Sequence, residues 1–325
     1  MFWTGELIAR TAPVRRRAAP PPWASPLADK ARAAYLGMAI GDALGATVEF
    51  LTPKEIRFQH GEHREITGGG WLRLKAGQVT DDTTMALALG QSILTAGRVE
   101  ALAAATAFDA WMRAKPVDIG NTVRRNLIQF RKTGKPEAEA CEHDAGNGAA
   151  MRVLPVALAT YGQTPEIVVA ASRAQAHVTH HNILSDATCE TLIFMTQDLL
   201  AGRDVLAVRQ FRADALVEQH PVFAFDRKRR ENPSGYVVET LQAVFQAFFA
   251  TDSFESCLID VVNRGGDADT TGAIAGMLAG ARYGYQAIPK RWLRALDPVA
   301  LANCERQASS LLPPGTSDSG QSSAA

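Results

Sequence analysis

Apolar residues recur at helical spacing through most of this 325-residue chain, whereas the alternating pattern of a half-buried strand is almost absent. Met85, Leu89 and Ile93 lie four residues apart, and a second apolar stripe runs through residues 274–281. The segment 31–41 (ARAAYLGMAIG) is rich in small and apolar residues, which suits a tightly packed buried helix. The sequence therefore predicts an all-α fold.

The rest of the interior supports the same interpretation. Further helices are predicted at about 99–113, 147–160, 166–176, 182–201, 235–250 and 253–263. Residues 67–74 (TGGGWLRL) predict a loop or a short hairpin. Because no internal repeat and no Pro/Gly/Ser-rich linker divides the interior, we expect one compact domain over residues 27–312.

Both ends of the chain differ in composition from the interior. Residues 1–26 contain three adjacent arginines and several prolines, and they lack the continuous apolar region of a secretory signal. Residues 313–325 (PPGTSDSGQSSAA) are of low complexity. The sequence predicts a disordered N-terminal extension over 1–26 and a disordered tail over 313–325.

Charge and cysteine content exclude several classes of protein. Lys plus Arg and Asp plus Glu both number 34, and this balance argues against nucleic acid as a direct partner. No stretch approaches 18 consecutive apolar residues, the length of a membrane-spanning helix. The four cysteines are far apart and form no CxxC pair, which indicates reduced thiols and a cytoplasmic location.

Two short acidic clusters each precede a predicted helix. Each cluster offers two carboxylates and a hydroxyl within four residues; the members are Thr80, Asp81 and Asp82 in the first, and Asp267, Asp269 and Thr270 in the second. Taken singly, either cluster is explained by helix capping, since acids and hydroxyls are favoured at helix N-termini.

Together, the two clusters indicate a metal site. Carboxylates that lie close together repel one another, and a divalent cation is the usual remedy. The ligands are all hard oxygen atoms, which suits Mn²⁺ or Mg²⁺ better than Zn²⁺ or copper. Gly265 and Gly266 permit a backbone turn that directs the second cluster inward. We therefore predict a dinuclear metal site that joins two helix starts.

Two acids stand out in the segment 37–50 (GMAIGDALGATVEF), whose glycines, spaced four apart, suit close helix packing. Asp42 and Glu49 both have apolar neighbours, and Glu49 lies between Val48 and Phe50. A buried acid is costly unless it is paired, so Glu49 is a further candidate metal ligand.

A glycine-rich segment and a histidine cluster are weaker signals. Gly146, Asn147 and Gly148 precede a predicted helix, where free backbone amides can bind an anion with Arg152 nearby, although a plain helix start is the commoner meaning. The histidines at 177, 180 and 181 lack the accompanying ligands of a zinc site, which favours a histidine that hydrogen-bonds substrate or a carboxylate.

Asp118 lies within the segment KPVDIGNTVRRN (residues 115–126), between apolar neighbours and just before Gly120. Two explanations are open for it. It is either a helix cap, or a general base or substrate anchor.

These motifs occur together, in the same order, in a known family. The stretches GMAIGDALGATVEF, GQVTDDTTM, HDAGNGAAMR, AHVTHHN and RGGDADTTGAIAGMLAGARYG resemble those of the ADP-ribosylglycohydrolases. The resemblance runs from about Ala31 to about Leu296. It implies a compact helical fold with a dinuclear Mn²⁺ (or Mg²⁺) centre.

The resemblance also implies roles for individual residues. The metal ligands would be Thr80, Asp81, Asp82, Asp267, Asp269 and Thr270. The catalytic group would comprise Asp118, Asp82 and Glu49, with Asp118 holding the guanidinium of the substrate arginine. The contacts to ADP-ribose would come from Gly146, Asn147, Gly148, His180 and Tyr236.

The activity implied by the resemblance is hydrolysis of the N-glycosidic bond between ADP-ribose and an arginine of a protein. The implied substrate is the nitrogenase iron protein, which the reaction would reactivate. A PII-type signalling protein and an ammonium channel would be partners, through which the enzyme would associate reversibly with the membrane.

Three alternatives remain open on the sequence. The acceptor side could be serine, O-acetyl-ADP-ribose or a nucleobase. A non-catalytic ADP-ribose-binding protein is disfavoured, because the six oxygen ligands of the two clusters would then form a costly group of charges. The bare residues would also permit a metal-dependent phosphohydrolase, which would release phosphate rather than intact ADP-ribose.

Overall fold

The computed structural model of the chain describes residues 25–313. Within this range the structure is helical, and its β-type pairings are the isolated bridges Gly69–Leu74 and Gly146–Tyr236. The predicted all-α fold is confirmed. The disordered extension and tail predicted for the two ends lie almost wholly outside the described residues.

Fifteen α-helices occur between residues 25 and 313. They are α1 (Pro26–Gly45), α2 (Pro53–His60), α3 (Asp81–Ala96), α4 (Ala101–Arg113), α5 (Asn121–Thr133), α6 (Leu154–Ala159), α7 (Pro165–Ala176), α8 (Ile183–Leu200), α9 (Val205–Val208), α10 (Ala215–Gln219), α11 (Val237–Ala250), α12 (Phe254–Val262), α13 (Ala268–Tyr283), α14 (Lys290–Ala295) and α15 (Pro298–Leu311). A π-helical turn at Arg209–Asp214 joins α9 to α10.

The folded unit begins slightly earlier than predicted. Ser25 caps α1 by accepting a hydrogen bond from the Ala28 amide, and Pro26 occupies the first turn, where its missing N–H costs nothing. Residues 25 and 26 are therefore part of the ordered domain.

One predicted helix is largely wrong. Instead of a helix over 147–160, the chain forms a loop, a short 3₁₀ turn at Ala150–Arg152 and then the short α6. The physical reason is that Asn147 forms hydrogen bonds away from its own segment: its amide donates to the Gly235 carbonyl and its side chain to Asp267 and Thr240.

The centre of the fold is the antiparallel pair α1 and α13, which pack backbone against backbone. A Cβ atom on Gly37 would lie 2.1 Å from the Gly276 carbonyl oxygen, and one on Gly41 would lie 1.9 Å from that of Gly272. The close helix packing that the glycine spacing predicts is thus present, and its partner is α13. Both helices are almost completely buried.

This register brings the end of α1 to the start of α13, because Gly45 faces the Ala268 carbonyl. The chain after α1 then pairs with the turn before α13: the Phe50 amide donates to the Gly266 carbonyl at 2.7 Å, and the Gly266 amide donates to the Leu51 carbonyl at 3.0 Å. Gly265 and Gly266 have φ values of 70° and 65°, as expected of a glycine turn. Glu49 is therefore held beside the second acidic cluster.

No helix in the part of the chain that the structure describes is long and apolar enough to cross a membrane. The four cysteines are all free, as predicted, and three of them are buried.

Candidate active site

The floor of the site is the start of α3, which is held by a residue from α1. Asp42 is fully buried, and its carboxylate accepts hydrogen bonds from the Thr80 amide, the Thr83 amide and the Thr83 hydroxyl, the last at 2.6 Å. Burial raises the pKa of Asp42 to about 6, although these hydrogen bonds oppose the rise. Asp42 thus satisfies the amides at the start of α3 in place of a local N-cap, so the acids of α3 are not needed for capping.

Asp82 connects the two predicted clusters. Its Oδ2 atom accepts hydrogen bonds from the Thr80 hydroxyl at 3.2 Å and from the Thr270 hydroxyl at 3.3 Å. Its Oδ1 atom is buried and has no hydrogen-bond partner within residues 25–313. Burial, followed by the charges of Asp42 and Asp81, raises the pKa of Asp82 well above its usual range. An unpartnered buried carboxylate oxygen is costly unless a cation meets it.

A second group of acids lies beside this one. Glu49, Asp267 and Asp269 each offer a carboxylate oxygen, and these oxygens all lie within 4.8 Å of one another. Glu49 accepts a 2.6 Å hydrogen bond from the Trp71 indole, and Asp267 accepts one of the same length from the Asn147 side chain. These contacts orient the carboxylates toward one another.

The acids raise one another's pKa values. Burial is the main cause of a pKa of about 8 for Glu49, and the neighbouring Asp267, Asp118 and Asp81 add to it against the opposing Trp71 hydrogen bond. Burial and Asp118 raise the pKa of Asp81 to about 8. Burial, followed by the charge of Glu49, also raises the pKa of Asp269 well above its usual value.

The acidic groups fit a divalent cation. Within residues 25–313, none of the ion pairs joins a lysine or arginine to Asp42, Glu49 or the acids of the two clusters. Close, buried carboxylates with hydroxyl groups and no protein cation form a hard-oxygen donor set, which Mn²⁺ or Mg²⁺ would neutralise. These oxygen atoms form a candidate metal site at the starts of α3 and α13.

A cleft of about 440 Å³ opens onto these acids. The predicted site residues that line it are Glu49, Asp81, Asp118, Gly146, Asn147, Gly148, His180, Asp267, Asp269 and Thr270. Thr80 and Asp82 are almost fully buried and are not among its lining residues. The structure thus brings nearly all of the predicted residues together from segments that are distant in the chain.

Asp118 projects from the loop before α5 and accepts a 2.7 Å hydrogen bond from the Ile119 amide. Burial and then Asp267 raise its pKa, while the Ile119 hydrogen bond and Arg124 oppose the rise. A cation bound in the cleft would favour its ionised form. Asp118 does not cap α5, whose N-cap is Gly120.

A chain of buried hydrogen bonds sets the tautomer of His180. Arg152 donates to the Thr179 hydroxyl at 2.8 Å, and that hydroxyl lies 2.8 Å from Nδ1 of His180. A guanidinium can only donate, so the Thr179 hydroxyl accepts from Arg152; because Nδ1 is the other partner of this hydroxyl among the described residues, the hydroxyl hydrogen is assigned to Nδ1. The proton of neutral His180 is therefore on Nε2, which faces Gly146 and Gly148.

This histidine stays neutral. Burial, followed by the charges of Arg152 and Arg125, lowers the pKa of His180 to about 3. His180 can therefore donate one hydrogen bond into the cleft throughout the physiological pH range.

Arg152 itself is not available to an anion in the cleft. It is fully buried, donates to Gln175 and Thr179, and stacks over the Phe108 ring at 4.3 Å. The suggested anion site at a helix start is corrected accordingly, since the Gly146–Gly148 loop leads into a 3₁₀ turn.

Tyr236 is placed differently from the other predicted contacts. It precedes α11, its backbone forms a bridge with Gly146, and its side chain is not among the residues of the described chain that line the cleft. The adjacent Gly235 does line it.

The three histidines of the cluster make different polar contacts. His177 contacts the Asp186 carboxylate at 2.9 Å, His180 contacts Thr179, and His181 contacts the Ala138 carbonyl. The rings of His177 and His181 also stack, with their centroids 3.8 Å apart. Of the three, only His180 lines the cleft.

Comparison with known proteins identifies the family of this chain. The family model described as ADP-ribosylglycohydrolase matches residues 24–316. The chain belongs to the ADP-ribosylglycohydrolase family.

Its relatives within the family have related activities. The chain is 51% identical over 284 residues to the ADP-ribosyl-[dinitrogen reductase] glycohydrolase of Rhodospirillum rubrum, covering 87% of this chain and 96% of the relative. It is 35% identical to the ADP-ribosylarginine hydrolase Tri1 of Serratia proteamaculans, covering 82% of this chain and 75% of the relative.

A solved structure described as an ADP-ribosylglycohydrolase-related protein complex superposes with a TM-score of 0.77 at 37% identity. The match covers 88% of this chain and 97% of that one.

Three residues of this ADP-ribosylglycohydrolase site could not be assigned from the sequence. Asp42 supports α3, Trp71 holds Glu49, and Arg152 orients Thr179. Asp42 gave a signal as an acid within a small-residue helix, whereas Arg152 was named only as a cation near the Gly146–Gly148 segment. Trp71 and Arg152 act across gaps of more than 20 residues, which no local pattern reports.

Proposed function

We propose that this ADP-ribosylglycohydrolase hydrolyses the N-glycosidic bond between ADP-ribose and an arginine side chain of a protein. The observation that carries the proposal is the cleft in which Asp118 lies beside the acids at the starts of α3 and α13. Two relatives named as hydrolases of ADP-ribosylated dinitrogen reductase and of ADP-ribosylarginine support it. The nitrogenase iron protein is the proposed protein substrate.

We propose two Mn²⁺ (or Mg²⁺) ions as the cofactors. The ligands would come from Thr80, Asp81, Asp82, Asp267, Asp269 and Thr270, with Glu49 on the side of Asp267. When bound, such ions supply Lewis-acid polarisation of ribose hydroxyls and water. The unpartnered Oδ1 atom of Asp82 supports this assignment.

The remaining residues bind and orient the substrate. Asp118 holds the guanidinium through a charge-assisted hydrogen bond, and the guanidine leaves neutral when the C–N bond breaks. His180 donates its Nε2–H, and the loop Gly146–Gly148 offers backbone close to that donor. Tyr236, next to the cleft-lining Gly235, would lie near the ribose, as the resemblance implies. Orientation of this kind lowers the barrier by restricting the substrate to a reactive geometry.

The regulatory partners implied by the resemblance, a PII-type protein and an ammonium channel, stay predictions, as do a cytoplasmic location and reversible membrane association.

The function is tested with ADP-ribosyl-arginine and metal-stripped protein, with and without added Mn²⁺. We expect free ADP-ribose, resolved by chromatography, only when the metal is present. Release of inorganic phosphate instead would indicate a phosphohydrolase, and no release with bound Mn²⁺ confirmed would exclude arginine as the acceptor.

The role of Asp118 is tested in the same assay. We expect Asp118→Asn to lower kcat/KM by about 10- to 100-fold, since a charge-assisted hydrogen bond to the guanidinium is lost. Its metal content should stay at the wild-type level. Asp226→Asn, at an exposed carboxylate paired with Arg209, is the matched control and should keep full activity. Near-full turnover by Asp118→Asn would show that its assigned role is wrong.

A further inference from the structure

Two large aromatic side chains lie exposed at the cleft. Phe50 is 61% exposed and Trp71 is 51% exposed. Their ring centroids are 5.3 Å apart with the planes inclined by 48°, and both residues line the cleft. Exposed aromatic rings at a binding site offer a large contact area to a ligand.

The backbone of Phe50 is held in a conformation that a bulky residue rarely adopts. Its φ is 63°, in the left-handed region that favours glycine or asparagine. The hydrogen bond from the Phe50 amide to Gly266 fixes this position next to Asp267. The exposed ring fills no part of the core, so the fold does not explain why a phenylalanine occupies a strained position. Strain of this kind points to a role in function.

The surroundings of the pair define the chemistry of its ligand. Trp71 donates its indole N–H to Glu49, and Phe50 follows Glu49 in the chain, so both rings are attached to the acidic side of the cleft. Asp118 is also close enough to Glu49 to influence it electrostatically. Aromatic faces beside carboxylates attract a cation with an apolar stem. A neutral adenine ring carries no positive charge for these carboxylates to attract.

We infer that Phe50 and Trp71 form the contact surface for the arginine of the substrate. The guanidinium and the methylene groups of that arginine would lie against the two rings. This inference rests on the proposed function, because it assigns a place to the arginine that Asp118 anchors. It makes Phe50 and Trp71 specificity-determining residues for the acceptor side of the scissile bond.

The test compares Phe50→Asn, which removes the ring and accepts the left-handed backbone, with Phe50→Tyr, which keeps an aromatic face. The Mn²⁺-loaded full chain is assayed for hydrolysis of ADP-ribosyl-arginine and for binding of free ADP-ribose by calorimetry. We expect Phe50→Asn to raise KM about 5- to 10-fold with kcat unchanged within about twofold, as lost cation–π and apolar contact implies. Phe50→Tyr should restore KM, and ADP-ribose binding should change by less than about twofold.

Two control variants separate the ring from its backbone strain and from surface hydrophobicity. Lys115→Asn also places asparagine at an exposed residue of positive φ (57°), and Phe58→Asn removes a 92% exposed phenylalanine from α2. Neither residue lines the cleft, and both variants should keep the wild-type KM. The melting temperature Tm of Phe50→Asn should not fall, since the strain is relieved.

The possible failures are distinguishable. If the wild type is active and Phe50→Asn keeps the wild-type KM, the inference is wrong but the proposed function stands. The same holds if Phe50→Asn also loses binding of ADP-ribose, because the adenine would then lie on the rings. A fall in Tm of more than about 3 °C would show that Phe50 serves the fold and would also overturn it. A wild type that releases no ADP-ribose with Mn²⁺ bound would overturn the proposed function and this inference with it.

Discussion

The protonation of His180 shows how single residues beneath the cleft determine what the cleft can do. Gln175 orients Arg152, Arg152 donates to Thr179, and the Thr179 hydroxyl fixes the proton of His180 on Nε2. The histidine is thus a fixed donor rather than a proton carrier. Hydrolysis would then depend on pH through other groups.

The pKa of His180 has a consequence for stability. Burial lowers this pKa to about 3, whereas an unfolded histidine titrates near about 6.5. Between these values the unfolded chain binds more protons, so stability from neutral His180 is complete above about pH 6.5 and is lost as pH falls. We predict that wild type loses about 2 kcal/mol more than His180→Gln between about pH 7 and pH 5, or roughly 5 °C in Tm.

Calorimetry or circular dichroism over this pH range measures the difference. His60→Gln, at an exposed histidine on α2, is the matched control and should follow the wild-type curve. Parallel curves for wild type and His180→Gln would contradict the assigned burial of a neutral ring.

Some residues of the candidate site could be predicted from the sequence, and others could not. The acids at 81, 82, 267 and 269 could be predicted, because each cluster is contiguous and precedes a helix. Trp71 and Arg152 could not, because their partners Glu49 and Thr179 are more than 20 residues away in the chain.

Among the elements, the contact between α1 and α13 decides where the acids lie. Glycines at matching positions let the two backbones touch, and the register then fixes Glu49 beside Asp267 and Asp269. The site therefore depends on packing that lies up to about three helical turns away from it.

Gly276→Ala tests this dependence. The added Cβ would lie 2.0 Å from the Gly37 carbonyl oxygen, which is backbone and cannot move aside without separating the helices. We expect a loss of about 3 kcal/mol, or roughly 5–10 °C in Tm, from overpacking. In Gly120→Ala, by contrast, the nearest atom is 3.9 Å away, so only the N-cap preference for glycine over alanine is lost, and Tm should fall by less than about 3 °C. Equal Tm values for both variants would show that the close approach of α1 and α13 is not required.

Most helices with a broad apolar face are predicted from the sequence, although α15 (Pro298–Leu311) is not, and α5 (Asn121–Thr133) could not be. Only Val123 and Leu127 of α5 are buried, and its sequence NTVRRNLIQFRKT is dominated by polar residues. The apolar periodicity of this segment therefore gives little evidence for a helix. Contacts with the rest of the fold determine where α5 lies. The short helices α2 and α14 escaped prediction for the same reason, with one buried residue each.

For the molecule as a whole, the site joins parts of the chain that are more than 200 residues apart. Glu49 follows α1, Asp81 begins α3, and Asp269 lies in α13. Motif order indicated that these segments belong to one site, but sequence gave no distances among them. A bound cation would link all three segments and so stabilise the fold as a unit.

Metal binding should therefore appear as a change in global stability. A ligand that binds only the folded state at about 100 times its Kd adds about 2.7 kcal/mol. We predict that Mn²⁺ at such a concentration raises the Tm of metal-stripped wild type by roughly 6 °C, measured by calorimetry. In the absence of metal, we predict a higher Tm for Asp269→Asn than for wild type near pH 7, because burial, Glu49 and Asp82 disfavour the ionised carboxylate that the unfolded chain carries at this position.

Asparagine preserves the other contact at this position, since its side-chain carbonyl can still accept from the Thr270 amide as Oδ1 of Asp269 does at 2.9 Å. The variant thus changes charge with little change in shape, and Mn²⁺ should raise its Tm far less than that of wild type. Asp226→Asn, on the surface, should respond to Mn²⁺ as wild type does. If metal-free Asp269→Asn has a lower Tm than wild type, the acids stabilise the fold rather than provide a cation site. The unfavourable burial of several carboxyl groups would then not be the main effect of this cluster on stability.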